Sequence, residues 1–367
     1  MKVLNVINGL GAGGAEKLLI DLLPLLNKHE EIEVELLLLT DKNSVYKDHI
    51  IGKGIHVNVC ESNKLYSIKN LAYIRSLILN GKYDIVHAHL FPTNYYISLI
   101  SKTIFNKNVH FIFTEHSTHN RRRNKFIMRY IEKYIYSSFS KILSISKETE
   151  KNLIEWLRPT RKLNKFTVVE NGIDLKKYYT SSRIPKTTFS KHINKNDKLI
   201  CMVGRFSHQK DQSTLIRAMK LLDDDVHLLL IGEGEYKDNN IKLTQELDLS
   251  KRVHFLGFRK DVPNILQSVD INVLSSVWEG FGLAALEGMA TKKPVIATDV
   301  EGLRGIIDRE DLLFKVGDSV YLAEIIKRLL NDAEYYNQVC EYLFERSRNF
   351  DINKTADKIK SIYLRCH

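Results

Sequence analysis

The segment Glu279–Glu287 reads Glu-Gly-Phe-Gly-Leu-Ala-Ala-Leu-Glu and carries most of the information about fold and function. Its glycines permit a close turn with positive φ, and the residues after Gly282 favour a helix. A helix start there presents free backbone N–H groups, which form a site for a phosphate. Carboxylates on either side of this site would not bind phosphate but would accept hydrogen bonds from hydroxyls. The segment therefore predicts a site for a diphosphate flanked by hydroxyl-rich groups, as in a nucleotide sugar; the alternative is an ordinary turn with two solvated glutamates.

Apolar, β-forming runs alternate with helical periodicity, such as that from Ala15 to Leu26, along the whole chain. This alternation predicts the α/β class, with parallel sheets covered by helices on both faces. Two such series predict two doubly wound, Rossmann-like domains, with the active site in a cleft between them. The predicted strands are Val3–Asn8, Val34–Thr40, Ile55–Val59, Ile85–Ala88, His110–Thr114, Lys141–Ile145, Thr167–Glu170, Leu199–Val203, His227–Ile231, Val253–Phe255, Ile271–Leu274, Pro294–Ala297 and Leu312–Phe314.

The chain has 367 residues, which is more than one hydrophobic core usually serves. Residues 176–198 are polar and without a clear period, so they are predicted to be the linker. We expect an N-terminal domain over 1–180, a C-terminal domain over 181–345, and a C-terminal helix over 346–367 that packs back on the first domain.

The composition, with 44% hydrophobic and 27% charged residues, is typical of a soluble globular protein. No apolar run reaches the roughly 18 residues of a membrane span, and the first residues are too short a run for a signal peptide. The four cysteines are scattered, which predicts a reducing cytoplasm without zinc or disulfides.

The net charge of +11 is concentrated in residues 100–180, which hold seventeen basic and seven acidic side chains. Such a local excess indicates a local anionic partner. Within it, Arg121, Lys125, Arg129 and Lys133 recur at i+4 beside an apolar and aromatic series. If helical, this segment is either a membrane-docking face or a solvated basic face over a core-packed helix.

A glycine-rich loop follows the first predicted strand, where Gly9, Gly11 and Gly14 satisfy the dinucleotide fingerprint G-x-G-x-x-G. The acidic partner of that fingerprint, Asp41, comes late, and no Gly-Lys-Ser/Thr closes a P-loop. The loop is therefore interpreted as a close-approach loop for a ligand, or else as a structural turn.

Two cations, Arg205 and Lys210, follow Gly204 after the first strand of the second domain. Both would lie at the sheet edge that carries Glu279, where they could neutralise a diphosphate leaving group without a metal. The alternative is a solvated basic loop. Gly257 and Phe258 follow a further strand at the same edge, where close approach to a base or ribose would need glycine.

Histidines end two strands of the first domain. His116 could touch substrate hydroxyls, although a structural histidine is the better interpretation of that residue taken alone. His87 and His89 share a face of one strand, but no third ligand is evident, so no metal site is predicted.

Together these segments resemble the retaining glycosyltransferases of the GT-B fold, specifically the large family numbered four, whose members build bacterial surface polysaccharides such as capsule and lipopolysaccharide. Glu279 and Glu287 match the family's signature of two glutamates separated by seven residues. Arg205 and Lys210 match its phosphate-binding pair, with Asp211 where the family usually has glycine. Gly13 and Gly14 with Glu16, the turn 171–174, and His116 match further family positions.

The resemblance implies transfer of a sugar from a nucleoside diphosphate sugar, commonly a UDP-sugar, to a hydroxyl with retention of configuration. The N-terminal domain would bind the acceptor and the C-terminal domain the donor. The implied catalytic residues are His116, Arg205, Lys210 and Glu279. The implied donor-binding residues are Gly13, Gly14, Gly204, Arg205, Lys210, Gly257, Phe258, Glu279, Gly280, Phe281, Gly282, Leu283, Ala284 and Glu287.

The expected partners are the nucleotide-sugar donor, a lipid-linked or saccharide acceptor and an anionic membrane surface, with no nucleic acid, no cofactor and no metal. A lipid-linked acceptor favours peripheral association with the inner face of the cytoplasmic membrane. The predicted membrane or acceptor face comprises Arg121, Arg122, Arg123, Lys125, Arg129 and Lys133. Three alternatives remain open: a nicotinamide-dependent oxidoreductase, a nucleotide-sugar epimerase and a polysaccharide-binding module.

Overall fold

The computed structural model describes residues 1–104, 108–118, 120–159 and 163–366, without the side chains of Arg121 and Leu163. The chain forms two compact units, which are residues 1–172 with 352–367 (unit 1) and residues 173–351 (unit 2).

Thirteen strands make up the two sheets. They are β1 (Lys2–Ile7), β2 (Glu33–Leu38), β3 (His56–Val59), β4 (Ile85–His89), β5 (His110–Glu115), β6 (Lys141–Ser144), β7 (Phe166–Val168), β8 (Lys198–Val203), β9 (Val226–Ile231), β10 (Val253–Gly257), β11 (Ile271–Leu274), β12 (Val295–Thr298) and β13 (Leu313–Phe314).

The α-helices alternate with these strands. They are α1 (Gly14–Asn27), α2 (Lys47–Gly52), α3 (Lys69–Gly81), α4 (Thr93–Ser101), α5 (Phe126–Ser137), α6 (Lys147–Leu157), α7 (Leu175–Tyr179), α8 (Gln212–Met219), α9 (Lys237–Glu246), α10 (Val262–Ser268), α11 (Leu283–Ala290), α12 (Glu301–Ile307), α13 (Ser319–Asn331), α14 (Ala333–Ser347) and α15 (Ile352–Cys366).

Unit 1 is built on a seven-stranded parallel sheet of order β3-β2-β1-β4-β5-β6-β7. Alternate side chains of its strands enter two apolar clusters, so the sheet is covered on both faces. One cluster includes residues of α1 and of α15, which therefore packs on this unit although it ends the chain. The strand order reverses between β1 and β4, and an open α/β sheet binds ligands at such a point.

Unit 2 is built on a six-stranded parallel sheet of order β10-β9-β8-β11-β12-β13, whose order reverses between β8 and β11. The short helix α7 packs against α10 and α11. Its Tyr178 is almost completely buried, and the Gln267 side chain donates a hydrogen bond to the Tyr178 carbonyl at 2.9 Å.

The units divide at 172/173 and 351/352, whereas the sequence analysis placed the divisions at 180/181 and 345/346. The difference arises because the polar segment interpreted as a linker begins with α7, which is part of the second unit. Exposed Lys176 and half-buried Lys177 precede the single buried Tyr178 of this helix, and exposed Tyr179 follows it, so the segment has no visible apolar period.

The fold class is confirmed, because each of the thirteen predicted strands overlaps an observed strand and all pair in parallel. Among the described residues, no helix is both long and apolar enough to cross a membrane.

Candidate active site

The predicted donor residues lie at the carboxyl edge of the unit 2 sheet, on either side of its switch point. The loop that follows β8 carries Gly204, Arg205 and Lys210, and the loop that follows β11 carries Glu279. Because β8 and β11 are neighbours with oppositely directed crossovers, their loops diverge and leave a crevice for a ligand.

Lys210 and Glu279 form an ion pair between these two loops. The side chains are 17% and 12% exposed, so the pair is largely removed from water. Ser276 Oγ donates a further hydrogen bond to the Glu279 carboxylate at 3.3 Å. A cation and a carboxylate thus face the same crevice, as a ligand with both phosphates and hydroxyls requires.

Hydrogen bonds to backbone carbonyls fix the two loops to each other. The Val277 N–H donates to the Gln209 carbonyl at 2.8 Å, and Gln209 Nε2 donates to the Trp278 carbonyl at 3.1 Å. Ser275 Oγ donates to the Asp211 carbonyl at 2.7 Å. The ion pair is therefore held by a preformed scaffold rather than by two independent loops.

Asp211 occupies a left-handed conformation, with φ of 45°, immediately before α8. Asp tolerates this conformation better than most residues, and glycine tolerates it best. Its carboxylate accepts hydrogen bonds from Ser213 Oγ and Thr214 Oγ1, both at 2.5 Å. These contacts explain how aspartate replaces the glycine that the family usually has here.

Gly282 is the N-cap of α11, with φ of 84°, and the backbone bonds of the helix begin with Ala285 N–H to the Gly282 carbonyl. A Cβ on Gly302 would lie 2.2 Å from the Glu279 carbonyl, so only glycine permits this close approach.

Glu287 is 3% exposed. The alternative of two solvated glutamates is wrong, because both carboxylates are largely buried.

The remaining predicted residues of this edge differ in exposure. Arg205 is 71% exposed and pairs with Glu235 at 2.9 Å, so it and Lys210 have different carboxylate partners. Gly204 packs on the Lys210 side chain, and Gly257 has φ of 67° at the end of β10. The segment from Gly280 to Ala284 forms the turn into α11, with Phe281 buried beneath it.

In unit 1 the glycine-rich loop leads from β1 into α1 at the switch point of that sheet. Gly13 is the N-cap and Gly14 the first residue of this helix. Asn8 Nδ2 donates to the Phe91 carbonyl at 2.8 Å and so joins the ends of β1 and β4. Asp41 pairs with Lys47 at 2.7 Å and accepts from Asn63, so its carboxylate is engaged within the protein.

His116 belongs to a chain of buried hydrogen bonds. Its Nε2 lies 3.1 Å from His89 Nδ1, and His89 Nε2 lies 3.1 Å from Asn5 Oδ1. Since the amide oxygen only accepts, His89 carries its proton on Nε2, and His116 then donates from Nε2. The His116 side chain is partly exposed, and its one hydrogen bond among the described residues is that of Nε2 to His89.

A second chain lies beside the first and was not predicted from the sequence. His87 Nε2 lies 2.7 Å from Thr114 Oγ1, and His87 Nδ1 lies 2.7 Å from the Tyr363 hydroxyl of α15. Burial lowers the pKa of His116 to about 4 and that of His87 to about 3. Burial also holds the pKa of His89 well below its usual value. At neutral pH all three rings are therefore neutral.

Two of the arginines assigned to the membrane face point inward, which corrects that prediction. Arg122 pairs at 3.1 Å with fully buried Glu132, and Arg123 pairs at 3.2 Å with buried Glu115. Both carboxylates would be costly to bury alone, so these arginines neutralise charges in the unit core. Burial nevertheless raises the pKa of Glu115, because Arg123 offsets only part of the desolvation.

The i+4 basic row is also not continuous. Residues 121–124 form a 3-10 turn, and Lys125 is extended before α5 begins at Phe126. The Arg121 side chain lies outside the described part of the chain. Lys125, Arg129 and Lys133 remain as exposed or half-buried basic positions.

The apolar face of α5 is turned to solvent. Its buried side chains are Glu132, Ile135 and Tyr136. The exposed face is Phe126 (67% exposed), Ile127 (64%), Tyr130 (57%), Ile131 (41%) and Tyr134 (57%). This arrangement contradicts the alternative in which the apolar residues pack into the core and only the basic ones face water.

Among the residues that the structure describes, no group of three or more His, Cys, Asp or Glu side chains is placed to hold a metal ion.

Two family models together match most of the chain. Residues 12–177 match the family described as Glycosyltransferase Family 4, and residues 183–346 match Glycosyl transferases group 1. The chain therefore belongs to the family 4-like glycosyltransferases. Its two parallel-sheet units have the GT-B fold.

Relatives that match over most of the length are named as glycosyltransferases. The chain is 28% identical to the UDP-Gal:alpha-D-GlcNAc-diphosphoundecaprenol alpha-1,3-galactosyltransferase of Escherichia coli, with 87% of this chain and 85% of that one covered. It is also 28% identical to the N-acetylgalactosamine-N,N'-diacetylbacillosaminyl-diphospho-undecaprenol 4-alpha-N-acetylgalactosaminyltransferase of Campylobacter jejuni, with 95% and 96% covered.

Among solved structures, the fold is similar to that of HepE from Anabaena in complex with UDP-glucose, with a TM-score of 0.85 at 22% identity and 99% of both chains covered. It is also similar to sucrose-phosphate synthase from Thermosynechococcus elongatus, with a TM-score of 0.82 at 20% identity, covering 100% of this chain and 98% of that one.

Proposed function

We propose that this glycosyltransferase moves a sugar from a UDP-sugar to a hydroxyl of a lipid-linked saccharide or growing polysaccharide, with retention of configuration and without a metal ion. The observation that carries the proposal is the Lys210–Glu279 pair across the switch point of unit 2. In this pair a cation that would bind a phosphate lies beside a carboxylate that would accept hydrogen bonds from hydroxyls, at the edge where α/β sheets bind ligands.

The donor would lie across this edge with its diphosphate toward Lys210. Arg205 is exposed and held by one surface carboxylate, so it is able to exchange Glu235 for a phosphate at small cost. The N–H groups at the start of α11 would hold a phosphate oxygen. Glu279 would accept hydrogen bonds from sugar hydroxyls, and Glu287 from the ribose.

In the reaction, the bond between the anomeric carbon and the diphosphate oxygen breaks, and a bond to the acceptor oxygen forms on the same face. The proton of the acceptor hydroxyl passes to the departing diphosphate oxygen. Such a step needs charge stabilisation on the leaving group and no protein nucleophile. Lys210 and Arg205 supply that positive charge, which is the part a divalent cation plays in other enzymes.

Unit 1 would bind the acceptor, and His116 would contact its hydroxyls. The pKa of His116 is lowered to about 4, so at neutral pH the ring is neutral. Its Nε2 proton is committed to His89, so its other nitrogen is a hydrogen-bond acceptor for a hydroxyl. The His89–Asn5 contact would hold the ring in this tautomer.

Support for the UDP-sugar and for the lipid-linked acceptor comes from relatives. The name of the Escherichia coli relative specifies UDP-Gal and a diphosphoundecaprenol acceptor, and the Anabaena structure holds UDP-glucose. The acceptor of the Campylobacter jejuni relative is also a diphospho-undecaprenol saccharide.

A lipid-linked acceptor requires approach to a membrane, and α5 has the surface for it. Five large apolar or aromatic side chains are exposed on one face, with Lys125, Arg129 and Lys133 nearby. An exposed apolar face of this kind marks an interaction site, and basic neighbours favour anionic headgroups. We therefore propose that α5 docks unit 1 on the anionic inner face of the cytoplasmic membrane.

Incubation with a panel of UDP-, GDP-, ADP- and dTDP-sugars, followed by an assay of slow nucleoside diphosphate release, tests the function. Release from one UDP-sugar alone would identify base and sugar together. The proposal would be wrong if no donor is hydrolysed or transferred while NAD or NADP binds at micromolar concentration. The glycine fingerprint favours a nicotinamide-dependent oxidoreductase, but the carboxylate of its candidate acidic partner, Asp41, is already engaged by Lys47 and Asn63.

A further inference from the structure

Unit 2 contains a cavity at the edge of its sheet opposite to the donor loops. Its volume is about 550 Å³. Asp270, which immediately precedes β11, and Lys293, which lies just before β12, line this cavity. Both therefore mark the amino-terminal ends of parallel strands, while Lys210 and Glu279 follow carboxyl ends. The cavity is distinct from the proposed donor site.

Basic side chains outnumber acidic ones in the lining. It includes the basic side chains of Arg183, Lys186, Lys195 and Lys293 against the single carboxylate of Asp270. Lys186 Nζ donates to Asp270 Oδ2 at 2.6 Å, and the Leu199 N–H donates to the same oxygen at 2.8 Å. The one carboxylate is thus neutralised within the protein.

The other three cations have no carboxylate within 4 Å among the residues that the structure describes. Lys293 is half-buried, whereas Arg183 and Lys195 are exposed. Burial, with a further contribution from the positive charge of Arg183, lowers the pKa of Lys293, and the Asp270 carboxylate offsets part of this shift. A cation that is partly desolvated beside another cation raises the free energy of the folded state. A bound anion would offset this cost.

Neighbouring Lys292 has a different environment. It is exposed and pairs with Glu341 at 2.5 Å, and it is not part of the cavity lining. Of these two adjacent lysines, Lys292 is paired with a carboxylate and Lys293 lines the cavity.

The wall of the cavity is held by hydrogen bonds and has apolar parts. The Ile184 N–H donates to Ser268 Oγ at 2.7 Å, and Gln267 Nε2 donates to the Tyr178 carbonyl at 2.9 Å. Ile184 and Pro185 add apolar surface. A cavity of this size suits a small molecule that combines an anionic group with a compact body.

We propose that this cavity is a binding site for a phosphomonoester of the size of a sugar phosphate or a nucleoside monophosphate. Arg183 and Lys293 bind the phosphate, and Lys195 adds positive charge at the rim. Asp270 stays paired with Lys186 and takes no part in anion binding. The site gives unit 2 a means of sensing a phosphorylated metabolite away from the donor edge.

The test is calorimetric titration of the full chain with glucose 6-phosphate and, separately, with uridine monophosphate. The variants are Arg183→Gln/Lys293→Gln, the matched control Lys292→Gln, and Lys210→Gln in the proposed donor loop. For glucose 6-phosphate we expect one equivalent to bind the parent, Lys292→Gln and Lys210→Gln alike, and the double variant to bind at least about tenfold more weakly. Uridine monophosphate also fits the proposed donor edge, so its binding to the cavity is measured in Lys210→Gln, where comparison with glucose 6-phosphate identifies which phosphomonoester the cavity prefers.

Three results would overturn the proposal. The first is no binding of either probe to the parent at about 10 mM. The second is loss of binding in Lys210→Gln with retention in the double variant, which would locate all phosphate binding at the donor edge. The third is equal weakening by Lys292→Gln, which would reduce the effect to general surface charge.

Discussion

The Lys210 ammonium group and the Glu279 carboxylate pair across the switch point of the unit 2 sheet. The two residues belong to loops after β8 and β11, strands that are neighbours in the sheet but are separated by β9 and β10 in sequence. The pair therefore exists only because the fold brings these strands together. It also keeps both groups satisfied until a ligand competes for them.

Removal of the carboxylate should reduce activity without unfolding the chain. We expect Glu279→Ala to lower kcat/KM for the preferred donor about 10²–10³-fold, because one interaction with the transition state is lost. Glu279→Gln should lose less, since its amide still reaches a hydroxyl. The matched control is Glu301→Ala, which removes an exposed glutamate at the start of α12. Near-parental rates in Glu279→Ala would exclude this residue from the site.

Catalysis should not need a divalent cation. Lys210 and Arg205 are expected to balance the charge of the leaving diphosphate, so turnover in excess EDTA should equal turnover without it. Activity that disappears in EDTA and returns with Mg²⁺ or Mn²⁺ would contradict this prediction.

The histidine cluster of unit 1 should make stability depend on pH. The unfolded chain protonates histidine below about pH 6.5, whereas folded His116 has a pKa of about 4. Above pH 6.5 the ring is neutral in both states, and its contribution to the free energy of unfolding is fully present. Between pH 6.5 and 4 the unfolded chain takes up the proton more readily than the folded one, so this contribution is lost as the pH falls. We expect His116→Gln to reduce the slope of stability against pH by up to about 1.4 kcal/mol per pH unit in this window.

Urea unfolding at pH 5 and pH 7 measures that slope, with exposed His49→Gln as the control for removal of a histidine as such. An unchanged slope in His116→Gln would show that the folded ring is protonated as readily as in the unfolded chain.

Helix α5 should bind anionic vesicles. Co-sedimentation with phosphatidylglycerol liposomes should decrease with salt, and Lys125→Gln/Arg129→Gln/Lys133→Gln should weaken it at least about tenfold. Phe126→Ser/Tyr130→Ser should weaken binding at high salt as well, because it removes apolar contacts. The charge-matched control is Lys69→Gln/Lys147→Gln/Lys151→Gln, which alters exposed lysines elsewhere on unit 1. Equal sedimentation of all variants would exclude α5 as the docking surface.

The strands could be predicted from the sequence because each is a short apolar run bounded by polar residues, as in Ile271–Leu274. The donor edge could be predicted because its residues sit in short motifs that directly follow those strands. Helix α7 could not be predicted, since a five-residue helix with a single buried tyrosine has no measurable period.

The contacts that depend on distant parts of the chain could not be predicted either. Tyr363 reaches His87 across 276 positions of sequence, and no local pattern marks that pair. Arg122 and Arg123 looked like surface charge because their partners, Glu132 and Glu115, are recognisable as buried only once α5 is packed on the sheet. The exposed apolar face of α5 was ambiguous for the same reason.

The most direct test of the central claim is calorimetric titration of UDP into the parent chain, into Lys210→Gln, and into the control Lys242→Gln, whose side chain lies exposed on α9. We expect one equivalent of UDP to bind the parent and the control more tightly than about 1 mM, and Lys210→Gln to bind at least about tenfold more weakly. Absence of UDP binding by the parent, or equal affinity in Lys210→Gln, would contradict the assignment of this edge as the donor site.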